Sequence, residues 1–460
     1  MASDYMDKLP GISRHPTGSA EIGSQDWWSG IEEAGTPVCV EHPDAPESVT
    51  LHFLWRDPHG LAAQSPIVAV YLDINCVTDH HSFSPQSLNR VANTDIWHWQ
   101  CRLDADWRGS YCYLAITRDQ LPPSPDADPL RRQAQQRAWW RSLLPHKRAD
   151  PLNLAGPKLG SWREQLSAIH LKAAPAQTAW QALDNGSASQ GLAKLAQGKR
   201  QLFTWHSAIL GTERPVWLYE PQGGIDAQAP PQRPLVLLLD GEVWAQSMPI
   251  FSALDHETRQ GLPAAVYVLI DSLGPQNRAR ELPCHAPFWL AVQQELMPQI
   301  YRLAPHSRLP QKTLLVGQSY GGLSALFAGL HWPQRFGCVL SQSGSFWWPH
   351  VAALSHPVAS PTAAGNISRR GWLTEQLAER RLPESRIRIF MEAGSRETAI
   401  RSANQELYHT LKQAGHEVTY RVYKGGHDKL CWRGGLLQGL RHFLAQDVSL
   451  TQEVPASKDA

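Results

Sequence analysis

The sequence predicts an α/β protein in two parts, an antiparallel β-sandwich followed by a larger domain with a mostly parallel sheet. Two observations lead to this prediction. Up to about residue 120, short β-branched and aromatic runs alternate with turn residues at short intervals, a spacing typical of an antiparallel sandwich. After about residue 200, apolar strands alternate with helical stretches, which is typical of a parallel sheet covered on both faces.

The composition excludes several classes of protein. The 460 residues are 42% hydrophobic and 18% charged, which is enough apolar material for full cores. Lys+Arg 43 against Asp+Glu 42 leaves a formal net charge of +1, which argues against a general nucleic-acid binder. The sequence shows no secretory signal and no apolar run long enough to span a membrane, so we expect a cytoplasmic protein.

The first part follows a polar segment, 1–25, that we expect to be a loose leader. From Trp27 to about Thr117 the pattern indicates strands of an immunoglobulin-like sandwich. The runs that carry this pattern are SVTLHFLWRD (48–57), IVAVYLDIN (67–75), IWHWQCRL (96–103) and SYCYLAITRD (110–119). The resulting domain assignment is 26–160 for the sandwich and a linker, 161–200 for a further linker, 201–450 for the parallel-sheet domain and 451–460 for a tail.

The second part opens with FTWHSAIL (203–210) and RPVWLYEP (214–221), which flank a short turn and predict a hairpin. Further strands are predicted at 234–242, 264–272, 312–319, 338–348, 386–394 and 417–426. Helices are predicted at 287–304, 320–333 and 399–415, the last ending at a glycine.

A candidate nucleophile lies in Gly317-Gln318-Ser319-Tyr320-Gly321, which joins the apolar strand KTLLV to a helix rich in small residues. GxSxG alone is a weak pattern. A strand, a sharp turn and a helix around it, however, are typical of the nucleophile elbow of an α/β-hydrolase. Ser319 is therefore predicted to be a catalytic nucleophile at the carboxyl end of the sheet.

A serine nucleophile needs a base, and in this fold the order along the chain is Ser, acid, His. His427 follows the last predicted strand and is the predicted base. Glu397, in the loop after the preceding strand, is the predicted acid that would orient the imidazole. Asp428 and Glu392 are alternatives for the acid, and a serine–histidine pair without an acid is a further one.

The remaining site residues lie in other loops at the strand ends. An oxyanion hole needs backbone N–H groups, which we assign to Tyr320 and to Gly241 or Glu242. Cations and indoles in these loops predict a large, anionic, aromatic ligand. The predicted substrate-binding residues are Arg278, Arg280, Arg396, Trp347 and Trp432, with Lys424, Lys429 and Arg433 as further cations around the histidine.

Longer motifs resemble the enterochelin (enterobactin) esterases. In the second part they are Asp240-Gly241-Glu242 with Trp244, Arg280-Glu281-Leu282-Pro283-Cys284, Phe288-Trp289-Leu290-Ala291, Glu392-Ala393-Gly394-Ser395-Arg396-Glu397, Ala403-Asn404-Gln405-Glu406-Leu407-Tyr408 and the run from Gly425 to Leu436. The resemblance covers nearly all of residues 200–446. It extends to the N-terminal β-sandwich of the family around Trp97-His98-Trp99 and Asp150-Pro151-Leu152-Asn153.

The resemblance implies a serine esterase that opens the tri-serine lactone of an imported ferric catecholate siderophore. The products would be dihydroxybenzoylserine units, from which iron is released. The family's nucleophile corresponds to Ser319, its base to His427 and its acid to Glu397. No cofactor or metal site is implied, because iron enters as part of the substrate. The expected partner is that small molecule, without nucleic acid or a membrane span, and the oligomeric state is left open, a monomer included.

Two other functions fit the same residues. A broader aryl or feruloyl carboxylesterase would use Ser319 and His427 and keep the sandwich as a glycan-binding module. A noncatalytic siderophore-binding protein is the second alternative, although it would have no need for both the GQSYG and GGH loops.

Overall fold

The computed structural model describes residues 21–155, 157–159, 165–184, 196–222, 232–350 and 370–445. Most of the predicted leader, part of the predicted linker 161–200 and the whole predicted tail lie outside the described residues. The chain forms two compact units, Met1–Ala176 with Lys424–Leu430, and Gln177–Tyr423 with Cys431–Ala460.

The first unit contains two four-stranded antiparallel sheets, with strand orders β1-β2-β5-β4 and β3-β6-β8-β7. The strands are β1 (Val38–Glu41), β2 (Ser48–Arg56), β3 (Ile67–Ile74), β4 (Asn89–Arg90), β5 (Ile96–Asp104), β6 (Arg108–Thr117), β7 (Pro157–Leu159) and β8 (Gln165–His170). Inward residues of both sheets share one core, among them Phe53 and Trp97 from the first sheet and Leu72 and Tyr113 from the second. The predicted β-sandwich is confirmed.

A helix, α1 (Gln25–Ala34), lies where the sequence pattern indicated the start of the strands. Ser24 caps it by accepting a hydrogen bond from the Trp27 backbone N–H (3.2 Å). Trp27, Trp28 and Ile31 share its buried face and pack against Leu54 and Ile96 of the sandwich. The strand prediction was wrong here because apolar residues three and four apart form a helical stripe.

The sandwich also extends into sequence that we expected to be a linker. Strand β8 falls within 161–200, and it pairs with β6 from Arg108↔His170 to Tyr111↔Ser167. Helix α2 (Pro129–Leu143) lies within 26–160, the range that we assigned to the sandwich and a linker. Its buried Trp139 and Trp140 pack on the outer face of the second sheet with Tyr71. Residues 165–170, which follow the predicted end of the sandwich at residue 160, are therefore part of its second sheet.

The second unit is built on an eight-stranded sheet with the order β16-β15-β14-β13-β11-β12-β10-β9. Strands β11 to β16 run parallel, and the β9–β10 hairpin continues the sheet in antiparallel pairing. The strands are β9 (Lys199–Ser207), β10 (Thr212–Glu220), β11 (Leu235–Leu238), β12 (Val266–Ile270), β13 (Thr313–Gln318), β14 (Cys338–Gln342), β15 (Arg388–Gly394) and β16 (Glu417–Tyr423). The predicted mostly parallel sheet and its hairpin are confirmed.

Helices connect these strands. They are α3 (Gln181–Asp184), α4 (Phe251–Arg259), α5 (Gly274–Glu281), α6 (Ala286–Ala291), α7 (Met297–Leu303), α8 (Tyr320–His331), α9 (Trp372–Ala378), α10 (Thr398–Gln413) and α11 (Lys429–Leu444). Every residue of β11, β12 and β13 is buried, as expected for strands covered on both faces. None of the helices in the described ranges is both long and apolar enough to cross a membrane.

Two histidines are buried together on the sandwich. His52 of β2 and His98 of β5 are 3% and 0% exposed, and His52 Nδ1 lies 3.1 Å from His98 Nε2. They share a sheet face with Leu54 and Ile96, the residues that pack against α1. Burial and the neighbouring His52 lower the pKa of His98 to about 4, and burial lowers the pKa of His52 as well.

We predict that His98 makes the folded chain less stable as the pH falls. The unfolded histidine has a pKa near 6.5, whereas the folded one has a pKa of about 4, so the unfolded state binds more protons between these values. Lowering the pH from about 7.5 to about 5 should remove about 2 kcal/mol of unfolding free energy through this group. Urea unfolding of the wild type and His98→Gln measures the difference; equal pH dependence in both proteins would contradict the prediction.

Candidate active site

Ser319 lies at a strained turn between β13 and α8. Its backbone has φ 57° and ψ −120°, a conformation that costs a non-glycine residue free energy and is found mostly at functional sites. Two glycines allow the turn to pack. A Cβ on Gly317 would lie 2.2 Å from the Gly321 carbonyl, and one on Gly322 would lie 2.6 Å from Ser341 Oγ.

The serine is held by the strand next to its own. The Ser319 backbone N–H donates to the Gln342 carbonyl (3.0 Å), and the Ser345 N–H donates to the Ser319 carbonyl (3.0 Å). The Ser319 and Ser345 hydroxyl oxygens are 3.2 Å apart and share a hydrogen bond. Sequence reasoning missed Ser345, although its place after the end of β14 could have indicated it.

Glu397 lies immediately before α10 with its carboxylate buried (3% exposed). One carboxylate oxygen accepts hydrogen bonds from the Gly394 N–H (2.5 Å), the Ser343 hydroxyl (2.7 Å) and the Tyr423 hydroxyl (3.2 Å). Burial, followed by the charge of Glu397, raises the pKa of Tyr423 well above its usual range. Tyr423 therefore stays a neutral donor, and the carboxylate is fixed in one orientation.

The two rival carboxylates have other partners on both oxygens. Glu392 is fully buried and accepts from the Gln342 amide (2.5 Å) and from the Arg421 guanidinium (2.5 Å). Burial raises the pKa of Glu392, and the charge of Arg421 opposes this shift. Asp428 accepts from the Ser110 N–H (2.7 Å) and hydroxyl (2.5 Å), and from the Leu430 N–H (2.8 Å). Both side chains therefore hold the local backbone and neighbouring strands.

His427 lies in the loop between β16 and α11, four residues after the strand ends. This loop belongs to the first unit. The His427 carbonyl accepts from the Asn75 side-chain amide (2.7 Å). A Cβ on Gly426 would lie 2.6 Å from the Asn75 carbonyl, so glycine is needed for this close approach.

The predicted oxyanion-hole residues lie after β13 and β11. Tyr320 is the first residue of α8, where helix N–H groups have no partner within the helix. Gly241 packs against β12, because a Cβ there would lie 2.6 Å from the Ile270 nitrogen. The Glu242 carboxylate accepts from the Ser272 N–H (2.9 Å) and from its hydroxyl, and burial raises the pKa of Glu242.

Arg278 holds the nucleophile turn. Its guanidinium makes a two-pronged ion pair with Asp240 (2.6 and 2.8 Å) and donates to the Gln318 carbonyl (3.2 Å). It also lies over the Tyr320 ring, 5.8 Å from the centroid. The residue that we predicted to bind substrate thus joins the end of β11 to the residue before Ser319.

The other predicted cations have different surroundings. Arg280 is exposed and donates to Asn277 (2.5 Å) and Glu281 (2.9 Å), and it lines a cleft of about 560 Å³ beside the β9–β10 turn. Arg396 is half-buried. Arg433 is 1% exposed and forms a two-pronged ion pair with Asp184 (2.7 and 2.6 Å). We expected Arg433 to be a further cation around the histidine. Instead, its charge is paired with Asp184 inside the second unit.

The two predicted indoles are both largely buried. Trp347 is 7% exposed and packs against the Tyr320 ring at 5.8 Å. The Trp432 indole N–H is 3.0 Å from both the Ser343 and the Tyr423 hydroxyl oxygens. Trp432 thus supports the two hydroxyls that bind Glu397.

The parallel sheet, the sharp turn at Ser319 and the helix that follows it define the class of protein: a hydrolase with the α/β-hydrolase fold. In the part of the chain that the structure describes, no group of three or more His, Cys, Asp or Glu side chains is placed to hold a metal ion.

Comparison with known proteins identifies the family. Residues 50–180 match the family model for the N-terminal domain of enterochelin esterase, and residues 207–443 match the model described as putative esterase. The iron(III) enterobactin esterase of Dickeya dadantii is 48% identical over 430 residues, 93% of this chain and 95% of that protein. The chain belongs to the enterochelin esterase family and is a carboxylic ester hydrolase.

Solved structures agree with this assignment. The ferric enterobactin esterase of Salmonella typhimurium is 41% identical with a TM-score of 0.77, covering 92% of this chain and 99% of that one. The enterobactin esterase of Shigella flexneri, crystallised in the presence of enterobactin, is 41% identical with a TM-score of 0.74 over 93% and 100% of the two chains.

We predict that Gly317→Ala removes activity and lowers stability by about 3 kcal/mol, because the added methyl group meets backbone that cannot move without shifting the elbow. Gly321→Ala is the matched control. Its Cβ would lie 3.3 Å from the Asp240 carboxylate, a side chain rather than backbone, so we expect smaller losses than in Gly317→Ala. Thermal unfolding and ester turnover of both variants test this. Equal losses in the two variants would contradict the close packing at Gly317.

Proposed function

We propose that this protein hydrolyses the ester bonds of the tri-serine lactone in ferric enterobactin-type catecholate siderophores. The observation that carries the proposal is the strained elbow that presents Ser319, at φ 57°, in a chain that matches named enterobactin esterases over nearly its whole length. The products are dihydroxybenzoylserine units and their short oligomers, which hold iron less tightly than the intact siderophore and allow its release inside the cell.

In the proposed reaction His427 takes the proton of Ser319 as the hydroxyl oxygen attacks the ester carbonyl carbon. The ester C–O bond breaks, the departing serine alkoxide receives that proton, and an acyl-enzyme remains. A water molecule, deprotonated by the same imidazole, then attacks the acyl group and restores the Ser319 hydroxyl. The N–H groups of Tyr320 and of Gly241 or Glu242 bind the negative oxygen of both tetrahedral intermediates.

Glu397 is the proposed acid that orients the imidazole of His427. Its carboxylate is buried and held by Gly394, Ser343 and Tyr423, whereas the carboxylates of Glu392 and Asp428 have other partners on both oxygens. A fixed, buried carboxylate is what the role requires, because it must hold one tautomer and stabilise the imidazolium.

The proposal needs no resident cofactor, because a serine nucleophile, a base and backbone donors are sufficient for ester hydrolysis. Iron enters and leaves as part of the substrate.

A ferric tris-catecholate is anionic and aromatic, so we propose Arg280, Arg396 and the Trp347 ring as candidate contacts and Arg278 and Trp432 as supports behind them. An enzyme that acts after siderophore import works in the cytoplasm.

The decisive experiment mixes purified protein with ferric enterobactin and separates the products by chromatography, beside Ser319→Ala. We expect linear trimer, dimer and monomer with the wild type only, and unchanged siderophore binding by the variant. Retained turnover in Ser319→Ala would overturn the nucleophile assignment. Cleavage of simple aryl esters without siderophore products would favour the broader carboxylesterase, and tight binding without any turnover would favour a binding protein.

The acid assignment is tested separately. Glu397→Gln should lower kcat by about a hundredfold or more, because the imidazole loses its orienting charge. Asp428→Asn should mainly lower stability, because Asp428 binds Ser110 and Leu430. Steady-state kinetics and thermal unfolding of both variants provide the comparison, and the reverse ranking in kcat would assign the acid role to Asp428.

A further inference from the structure

A ladder of polar side chains crosses the buried sheet directly beneath the nucleophile. Four consecutive strands place a polar residue at the same level: Gln318 of β13 is paired with Gln342 of β14, Gln342 with Glu392 of β15, and Glu392 with Arg421 of β16. Gln318, Gln342 and Glu392 are at most 3% exposed. Apolar residues are the usual occupants of such positions in a parallel sheet, so this polar row needs an explanation.

The ladder is hydrogen-bonded along its whole length. The Gln318 amide nitrogen donates to the Gln342 amide oxygen (2.8 Å), and the Gln342 nitrogen donates to Glu392 (2.5 Å). The Arg421 Nε donates to the other oxygen of Glu392 (2.5 Å). At the opposite end the Trp244 indole N–H donates to the Gln318 amide oxygen (3.0 Å).

Two partners of the ladder, the Trp244 indole and the Trp432 carbonyl, determine the orientation of both glutamine amides. The Trp244 indole can only donate, so Gln318 must turn its oxygen toward it and its nitrogen toward Gln342. The Gln342 nitrogen also donates to the Trp432 carbonyl (2.8 Å), which can only accept. Both constraints require the same arrangement, so the ladder has one low-energy state and rotating either amide would break several bonds at once.

The ladder connects the strand that precedes Ser319 with the helix that follows His427. Gln318 precedes Ser319 in the chain, and Trp432 lies in the first turn of α11, the helix that follows His427. Helix α11 also approaches the ladder closely at Gly435, where a Cβ would lie 1.9 Å from Glu392 Oε1. Helix α11 therefore lies directly on the ladder, with no side chain between them.

We propose that Gln342 and Glu392 are positioning residues for ester hydrolysis, which hold the Ser319 elbow and the turn of α11 that contains Trp432 at a fixed separation. The inference rests on the proposed function, in which Ser319 and His427 must react together. A displacement of about 1 Å at a reacting group can lower a rate by about a hundredfold, so a residue that never touches substrate can still control kcat.

Glu392→Gln is the central variant. In Glu392 each carboxylate oxygen accepts from one of the two neighbours. A glutamine replaces one of these oxygens with an NH2 group that can only donate, so in this arrangement it can accept from Gln342 or from Arg421 and not from both. Arg421→Met removes the cation from the edge strand, where its side chain is 33% exposed, and Arg421→Lys restores the charge. Because Arg421 is partly exposed, Arg421→Met still tests the inference if Glu392→Gln does not fold.

Glu257→Gln is the matched control. Glu257 is 1% exposed and forms a two-pronged ion pair with Arg441 (2.5 and 2.7 Å). This pair joins α4 to the last turn of α11. Its loss removes a buried ion pair of the same kind without touching the ladder.

Three measurements separate positioning from stability: Tm, steady-state kinetics on ferric enterobactin, and the rate at which a fluorophosphonate modifies Ser319. For Glu392→Gln and Arg421→Met we expect kcat and the modification rate to fall by at least about tenfold, with KM within about twofold of wild type. Arg421→Lys should recover most of the loss. Glu257→Gln should lower Tm and leave both rates unchanged.

The inference is overturned if folded Glu392→Gln and Arg421→Met keep wild-type kcat and modification rate, or if Glu257→Gln loses as much kcat as they do. Failure of the proposed function gives a different result. In that case wild-type protein forms no siderophore products, while the fluorophosphonate reaction, which needs no siderophore, still reports whether the ladder controls Ser319.

Discussion

The backbone of Ser319 is held in a conformation that a serine does not adopt freely, and the active-site geometry depends on the packing that holds it there. Strand β13 and helix α8 approach so closely that the Gly317 Cα faces the Gly321 carbonyl with no room for a methyl group. Hydrogen bonds from the β14 end then fix the serine on its other side. The resulting turn exposes a hydroxyl at the edge of a sheet whose strands are otherwise buried.

The same strain recurs along this edge of the sheet. Four residues other than glycine have positive φ just after neighbouring strands: Ser343 (49°), Ser319 (57°), Asp240 (54°) and Leu273 (56°), which follow β14, β13, β11 and β12. Each turns the chain sharply away from the sheet, so backbone and short side chains can converge there. Such conformations persist only where surrounding contacts over-determine them, and Ser343 and Asp240 are held by Glu397 and Arg278 respectively.

Much of this could be predicted from the sequence because it depends on local patterns. Apolar runs and glycine spacing predict the parallel strands and the elbow around Ser319. The same reasoning failed where a local pattern had two meanings. The tryptophans at 27 and 28 suit a strand or a helix, and the structure shows a helix. Sequence reasoning also did not predict that Arg278 forms an internal ion pair. Its partner Asp240 is 38 residues away, so no local pattern could identify it.

By itself the sequence determined the fold, the elbow that presents Ser319 and the family of hydrolases. Each of these depends on residues close together in the chain, and on glycines that only one type of turn requires. Only the tertiary structure decided the hydrogen-bond partners of the polar side chains around Ser319. Glu392, Glu397 and Asp428 are chemically equivalent carboxylates in the sequence, and hydrogen bonds from distant strands distinguish them. Pairing of β13 to β16 also brought Gln318, Gln342, Glu392 and Arg421 into one row, because parallel strands place residues far apart in the chain side by side.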